Sequence, residues 1–114
     1  MRFGNDLNRV NEDVKRELSE IFRTIKDPRV PELLSIVKCD VSGDLSVAKI
    51  YVSAIEGEGA TKNAVKGLTS AAGYVRRELS ARLKLRKTPE LKFIADNSIE
   101  HGIHIAKMLE DMEK

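Results

Sequence analysis

Between Thr61 and Lys87 the chain reads TKNAVKGLTSAAGYVRRELSARLKLRK, with eight basic residues against the single acid Glu78. The bases are Lys62, Lys66, Arg76, Arg77, Arg82, Lys84, Arg86 and Lys87, and they flank a small-residue break, Ala71-Ala72-Gly73. Cations with so few counter-acids can neutralise phosphates, and a break without bulky side chains lets backbone lie close to a phosphate chain. The chemistry is that of binding. At 100° per residue, Val65, Leu68, Ala72, Val75, Leu79 and Leu83 share one side of the helical projection. Lys62, Lys66, Gly73, Arg77, Ser80 and Lys84 share a neighbouring stripe, with Arg76 at its edge. The candidate phosphate-binding set is therefore Lys62, Lys66, Ala71, Gly73, Arg76, Arg77, Lys84, Arg86 and Lys87. Glycine costs a helix interior about 1 kcal/mol relative to alanine, a cost that close approach of a ligand at Gly73 would explain. The competing reading is a solvated basic face with Gly73 as a tolerated kink. The near absence of acids favours phosphate binding.

Other chemistries have little to stand on. The chain contains no G-x-x-x-x-G-K-[ST], G-x-G-x-x-G or G-x-S-x-G, so nucleotide hydrolysis and serine chemistry lack a signature. His101 and His104 have no cysteine near them and only Glu100 beside them, which argues for surface histidines and against a metal site. Asp40 and Asp44 flank a hairpin turn, where Asp serves turn geometry. Tyr51 points off the outer face of a strand and reads as a cross-strand packing partner. With 4% aromatic residues the chain lacks the stacking platform of sequence-tolerant single-strand readers, so shape and phosphate contacts are the expected mode of recognition. No enzyme activity, cofactor or metal is expected.

A length of 114 residues, 41% hydrophobic, fits one domain with one core. The net charge of +2 hides its distribution. Residues 61–92 carry nine bases against two acids, while residues 93–114 carry two against five. A cationic centre beside an acidic tail points to a local polyanion site. Cys39 is the one cysteine, so no intramolecular disulfide can form, and a reducing cytoplasm is the expected compartment. Its setting in a strand makes it a small buried hydrophobe. No apolar run has signal-peptide or membrane-spanning length, so no membrane contact is expected.

Elements must position the basic stretch. Leu7, Val10, Val14, Leu18, Ile21, Phe22 and Ile25 recur at helical spacing and predict a helix over Asp6–Lys26, stopped by Pro28. Ser35 to Val41 alternates with Val37, Cys39 and Val41 on one face. After the turn signal Ser42-Gly43-Asp44, Leu45 to Ala54 puts Ala48, Ile50, Val52 and Ala54 inward, completing an antiparallel hairpin. Glu56 to Gly59 leads into the interrupted helix. Thr88-Pro89 ends it, and Glu90 to Ala95 forms a third strand with Leu91, Phe93 and Ala95 inward. Asn97 and Glu100 have capping-box spacing for a last helix from Ser98, burying Ile99, Ile103, Ala106, Leu109 and Met112. The order is α-β-β-α-kink-α-β plus a C-terminal helix, an α+β domain with helices packed on one three-stranded sheet.

That order, with a helix-break-helix at its centre, resembles the type II KH domain, which grips single-stranded nucleic acid through a GxxG loop between two helices. Here the loop is replaced by Ala71-Ala72-Gly73, and in this the chain resembles the ribosome-binding factor A family. Further segments carry the same resemblance: NRVNEDVKRELSEIF, KDPRV, VSGDLSVAKIYVS, LTSAAGYVRREL and FIADNSIEHGIHI. Together they span Arg9 to Leu109. The resemblance implies a KH-like, non-enzymatic cytoplasmic factor, a monomer, whose partner is the small ribosomal subunit and its rRNA. It implies binding near the decoding region late in maturation, support of rRNA processing, greatest importance in the cold, and departure before translation. An alternative is a stand-alone KH-like module acting on other RNAs; another is a protein-interaction domain that docks its last helix on a partner.

Overall fold

A computed structural model describes residues 3–84 and 87–96. The helix predicted from Ser98, its capping box, His101 and His104, and the candidate Arg86 lie outside the described residues. Helix α1 spans Phe3–Phe22 and strand β1 Ser35–Val41. Strand β2 runs Val47–Ser53, α2 Glu58–Ser70, α3 Ala72–Leu83 and β3 Glu90–Ala95. Strand β2 is central, antiparallel to β1 and parallel to β3. A parallel pair needs a long crossover, and α2 and α3 supply it. The interrupted helix is thus held at both ends by adjacent strands of one sheet.

Three helices pack on this mixed sheet, as the α+β order predicts. Val14, Leu18 and Ile21 of α1, Leu68 of α2, and Val75 and Leu79 of α3 are fully buried against Val41, Ala48, Ile50 and Val52. Each such aliphatic side chain contributes about 1.5–3 kcal/mol relative to exposure. Phe22 and Phe93 pack together in the core, their ring centroids 6.0 Å apart and tilted by 60°. Just past the end of β2, the buried Thr61 hydroxyl accepts the Ala54 N–H at 2.9 Å and donates to Gly57 O at 2.9 Å. Gly57 has φ 117°, a left-handed conformation that only glycine adopts without strain.

Several boundaries differ from the sequence pattern. Helix α1 stops at Phe22 and not at Lys26. The Thr24 hydroxyl donates to Ile21 O at 2.7 Å, and Arg23, Thr24 and Ile25 make tight three-residue bonds back to Glu20, Ile21 and Phe22. Ile25 still packs on the core, so helical spacing outlasts the helix. Strand β1 bulges between Ile36 and Lys38. The bulge absorbs Val37, and Ile36 takes the inward place expected of Val37. Strand β2 begins at Val47 because Ser42 to Ser46 form a wider turn, in which Leu45 has φ 61°. Asp44 accepts from Ser46 N, Ser46 Oγ and Ser42 Oγ there. Ala95 pairs with Val52 but is exposed at the strand end, outside the core. The buried side of α2 is Thr61, Ala64, Gly67 and Leu68, with the expected Val65 only half-buried.

Candidate nucleic-acid interface

The interruption of the helix falls on Ala71, at φ −93° and ψ 7°. That is the sparsely allowed bridge region. The Ala71 N–H is shared between Gly67 O and Leu68 O at 3.1 Å each, and Val75 N donates to Ala71 O at 2.9 Å to close the first turn of α3. No side chain caps α3 and no acid lies in its first turn. Backbone N–H groups at this junction donate back to Gly67 O, Leu68 O and Thr69 O of α2, while the start of α3 still carries the partial positive charge of a helix N-terminus. Gly73 sits in that first turn with helical backbone and an exposed surface, and a Cβ built on it would meet no atom within 4 Å. The hinge is therefore Ala71. Gly73 has neither a packing reason nor a left-handed φ to explain its lack of a side chain.

A groove of about 590 Å³ opens beside Gly73, lined by Arg76, Arg77, Ser80, Ala81 and Thr88. Arg76 donates to Thr88 O at 2.7 Å, tying α3 to the chain that enters β3 and setting its guanidinium at the groove. Among the described residues Arg77 has no ion-pair or hydrogen-bond partner. Lys66, Lys84 and Lys87 are exposed but do not line this groove. Lys84 ends α3 in the left-handed region, at φ 50°. Lys87 lies toward the hairpin turn, where Asp44 is held near 2, mainly by hydrogen bonds from Ser46 and Ser42 and least by the Lys87 charge. Lys62 pairs with Glu58 one turn back at 3.2 Å, both side chains more than half exposed. Ala71 faces away from Gly73, into a second groove of about 630 Å³ shared with Tyr74 and residues 24–28.

The structure thus brings together Gly73, Arg76 and Arg77 and separates Lys62, Lys66, Ala71, Lys84 and Lys87 from them. It also removes one base from the run: Arg82 bridges to Glu20 at 3.0 Å and Glu17 at 3.5 Å on α1, with Glu78 at 4.0 Å. Sequence reasoning passed over Arg29. Asp27 accepts from the Arg29 backbone N–H at 2.9 Å and from its guanidinium at 2.7–3.2 Å. Those bonds, the side-chain ones first, hold the Asp27 carboxyl near 2. Arg29 also donates to Ser70 Oγ at 3.3 Å, one residue before the hinge. The Asp-Pro-Arg run was the available signal, since Asp before Pro favours a side-chain-bonded turn. Val30 follows and packs onto Gly67.

Cys39 is the one cysteine, and it is buried. Burial, then the Asp40 charge, pushes the Cys39 thiol up to about 12, far from a reactive thiolate. No group of three metal-ligating side chains exists among the described residues, and no described helix is long and apolar enough to cross a membrane. Tyr51 lies opposite Lys38 in the sheet, whose ammonium stands 5.8 Å from the ring centroid, a cross-strand partner as its position predicts.

The family model described as ribosome-binding factor A matches residues 6–109. This chain belongs to the ribosome-binding factor A family. The ribosome-binding factor A of Acetivibrio thermocellus is 45% identical over 106 residues, covering 92% of this chain and 86% of the relative. That of Lachnospira eligens is 44% identical over 105 residues, covering 91% and 81%. Among solved structures, ribosome-binding factor A from Thermus thermophilus superposes with a TM-score of 0.70 at 29% identity, covering 78% of this chain and 93% of its own. A Thermus thermophilus ribosome-binding factor A homology model fitted into a cryo-electron-microscopy map of a 30S complex gives 0.60 at 33% identity, covering 74% and 88%.

Family membership gives the quoted segments places in the fold. KDPRV is the turn that seats Val30 on α2, VSGDLSVAKIYVS is the β1–β2 hairpin, and LTSAAGYVRREL carries the hinge and the groove cations. The segment FIADNSIEHGIHI begins in β3 and continues outside the described residues.

Proposed function

We propose that this chain binds the small ribosomal subunit through its rRNA during late maturation and supports rRNA processing without catalysing a reaction itself. The observation that carries this reading is the start of α3, where an open Gly73 and an Arg77 without a partner among the described residues lie at a helix start with no side-chain cap. A phosphate can approach the backbone at Gly73 and the positive end of α3, because no Cβ keeps it away. Arg76, already oriented by Thr88, and Arg77 neutralise it and its neighbours. Lys66, Lys84 and Lys87 extend the positive field, and the sequence adds Arg86 to them. Binding energy is used to hold an rRNA conformation, and release then returns the subunit to translation. Family membership and the relative fitted into a 30S complex support the subunit as partner. A cytoplasmic monomer with its main role in the cold fits the same reading.

Co-sedimentation with purified small and large subunits tests it. The chain should pellet with small subunits alone, and partition onto large subunits or onto messenger RNA would overturn the proposal. If six phosphates are neutralised, log affinity should fall against log salt with a slope of about −4 to −5, at roughly 0.7–0.9 per phosphate. A slope near zero excludes the electrostatic mechanism.

A further inference from the structure

The second groove, reached from the hinge residue Ala71, shares no lining residue with the groove at Gly73. Ala71 and Tyr74 form one wall, and Thr24, Ile25, Lys26 and Pro28 form much of the other. Tyr74 is exposed, and its hydroxyl shares a 2.6 Å hydrogen bond with Thr24 Oγ1, which itself donates to Ile21 O. That chain of bonds fixes the ring against the end of α1. Among the described side chains Phe22 and Phe93 are buried, and Tyr51 is half-buried beside Lys38. Tyr74 is the exposed aromatic face they leave. The rim is cationic: Lys26 is exposed and unpaired among the described residues, and the one acid in the lining, Asp27, is taken by Arg29.

We infer that this groove holds one unstacked base of the RNA strand whose phosphate lies at Gly73, with the base stacked on Tyr74. The inference rests on the phosphate-binding reading above. Consecutive residues stand 100° apart around a helix, so a strand crossing the start of α3 presents phosphate to Gly73 and base to Tyr74. A fixed ring costs little ordering entropy on binding, Ile25, Pro28 and Ala71 supply apolar walls, and the cationic rim suits a nucleotide. Stacking is sequence-tolerant because every base has a π-face, consistent with a chain that lacks base-reading motifs.

The test is small-subunit affinity of the full chain across a salt series. Tyr74→Ala should weaken binding roughly 5- to 150-fold, the range for losing one base–aromatic stack, with an unchanged salt slope because no phosphate contact is lost. Tyr74→Phe should stay within about threefold of wild type, since the ring remains. If Tyr74→Ala lowers the melting point into the assay range, Tyr74→Leu keeps the apolar bulk without the ring and should show the same loss. Wild-type affinity in both ring-deleted variants, with Arg77→Glu still impaired, overturns the base site and leaves phosphate binding intact. Wild-type affinity in Arg77→Glu as well overturns the phosphate reading itself. A loss seen on intact subunits but not on protein-free small-subunit rRNA means that the groove holds a ribosomal protein, and the base site is then wrong.

Discussion

A Cβ built on Gly67 would lie 2.8 Å from Val30 Cγ2, 3.2 Å from Arg29 Cβ and 3.3 Å from Asp27 Cγ, whereas one built on Gly73 would meet nothing within 4 Å. Both glycines belong to the same interrupted helix, and neither has a left-handed φ. Gly67 lacks a side chain so that the Asp27–Val30 turn can lie on α2. Arg29 is locked there, paired with Asp27 and reaching Ser70. At Gly73 the surroundings are open, and the neighbouring Arg77 has no partner among the described residues. One half of the helix is closed by the fold, and the other is left for something outside it. The contrast shows that a glycine's meaning depends on what lies above it, and that a cation's availability depends on whether an acid reaches it.

The largest expected effect fixes the frame of this comparison. Leu79 is fully buried on the side of α3 that meets the core, so Leu79→Ala should lower stability by about 2–5 kcal/mol, read by thermal or urea unfolding. A much smaller loss would mean that α3 does not pack as described. At the closed glycine, Gly67→Ala sets a methyl against a stiff, buried valine. Overpacking costs about 1–3 kcal/mol, offset in part by roughly 1 kcal/mol of helix propensity. A net loss of up to about 2 kcal/mol should appear in melting, with subunit affinity of the folded fraction unchanged.

On the open side the two readouts should exchange roles. Arg77→Glu should weaken subunit binding at least about tenfold and flatten the salt slope by about one. Its stability should stay within about 0.5 kcal/mol of wild type. Gly73→Ala should raise stability by about 0.4–1 kcal/mol, because helical backbone accepts the methyl without a clash, while affinity falls. Full affinity in Gly73→Ala would leave this glycine without a role, since Ala71 already makes the bend. The smallest effect belongs to the closed side and to acid. Asp27 titrates near 2 instead of its usual 3.8, so its contribution is complete above about pH 4 and is lost as pH falls toward 2. Asp27→Asn should flatten the melting-temperature profile over that window. Asp44, also held near 2, should leave a residual slope that shrinks further in the double variant. An unchanged profile in Asp27→Asn would mean that the Asp27–Arg29 bonds do not persist in solution.

Much of the fold was legible in the order of residues. Alternation of apolar positions marked all three strands, and helical spacing marked α1 and the two halves of the crossover. The break at residues 71–73 was visible because small residues interrupt an otherwise regular stripe. These are local signals, set by neighbours within one or two turns, and the chain carries them whatever it packs against. The family resemblance rested on the same kind of information, short segments in a fixed order.

What remained hidden depended on partners far away in the chain. Arg82 reads as one more cation in a basic run until α1 brings Glu17 and Glu20 beside it, more than 60 residues distant. Gly67 reads as an ordinary helical glycine until the Asp27–Val30 turn descends on it. Val37 loses its inward place to Ile36 through a bulge that only pairing with β2 defines. Ala71 and Gly73, counted together in one break, face opposite grooves because the hinge residue itself ends one helix and begins the next. Residue types alone determined that this chain would carry positive charge around a weak point in a helix. The tertiary structure decided which of those charges are neutralised and which glycine is covered, because ion pairs and steric contacts act over a few ångströms of space regardless of sequence distance.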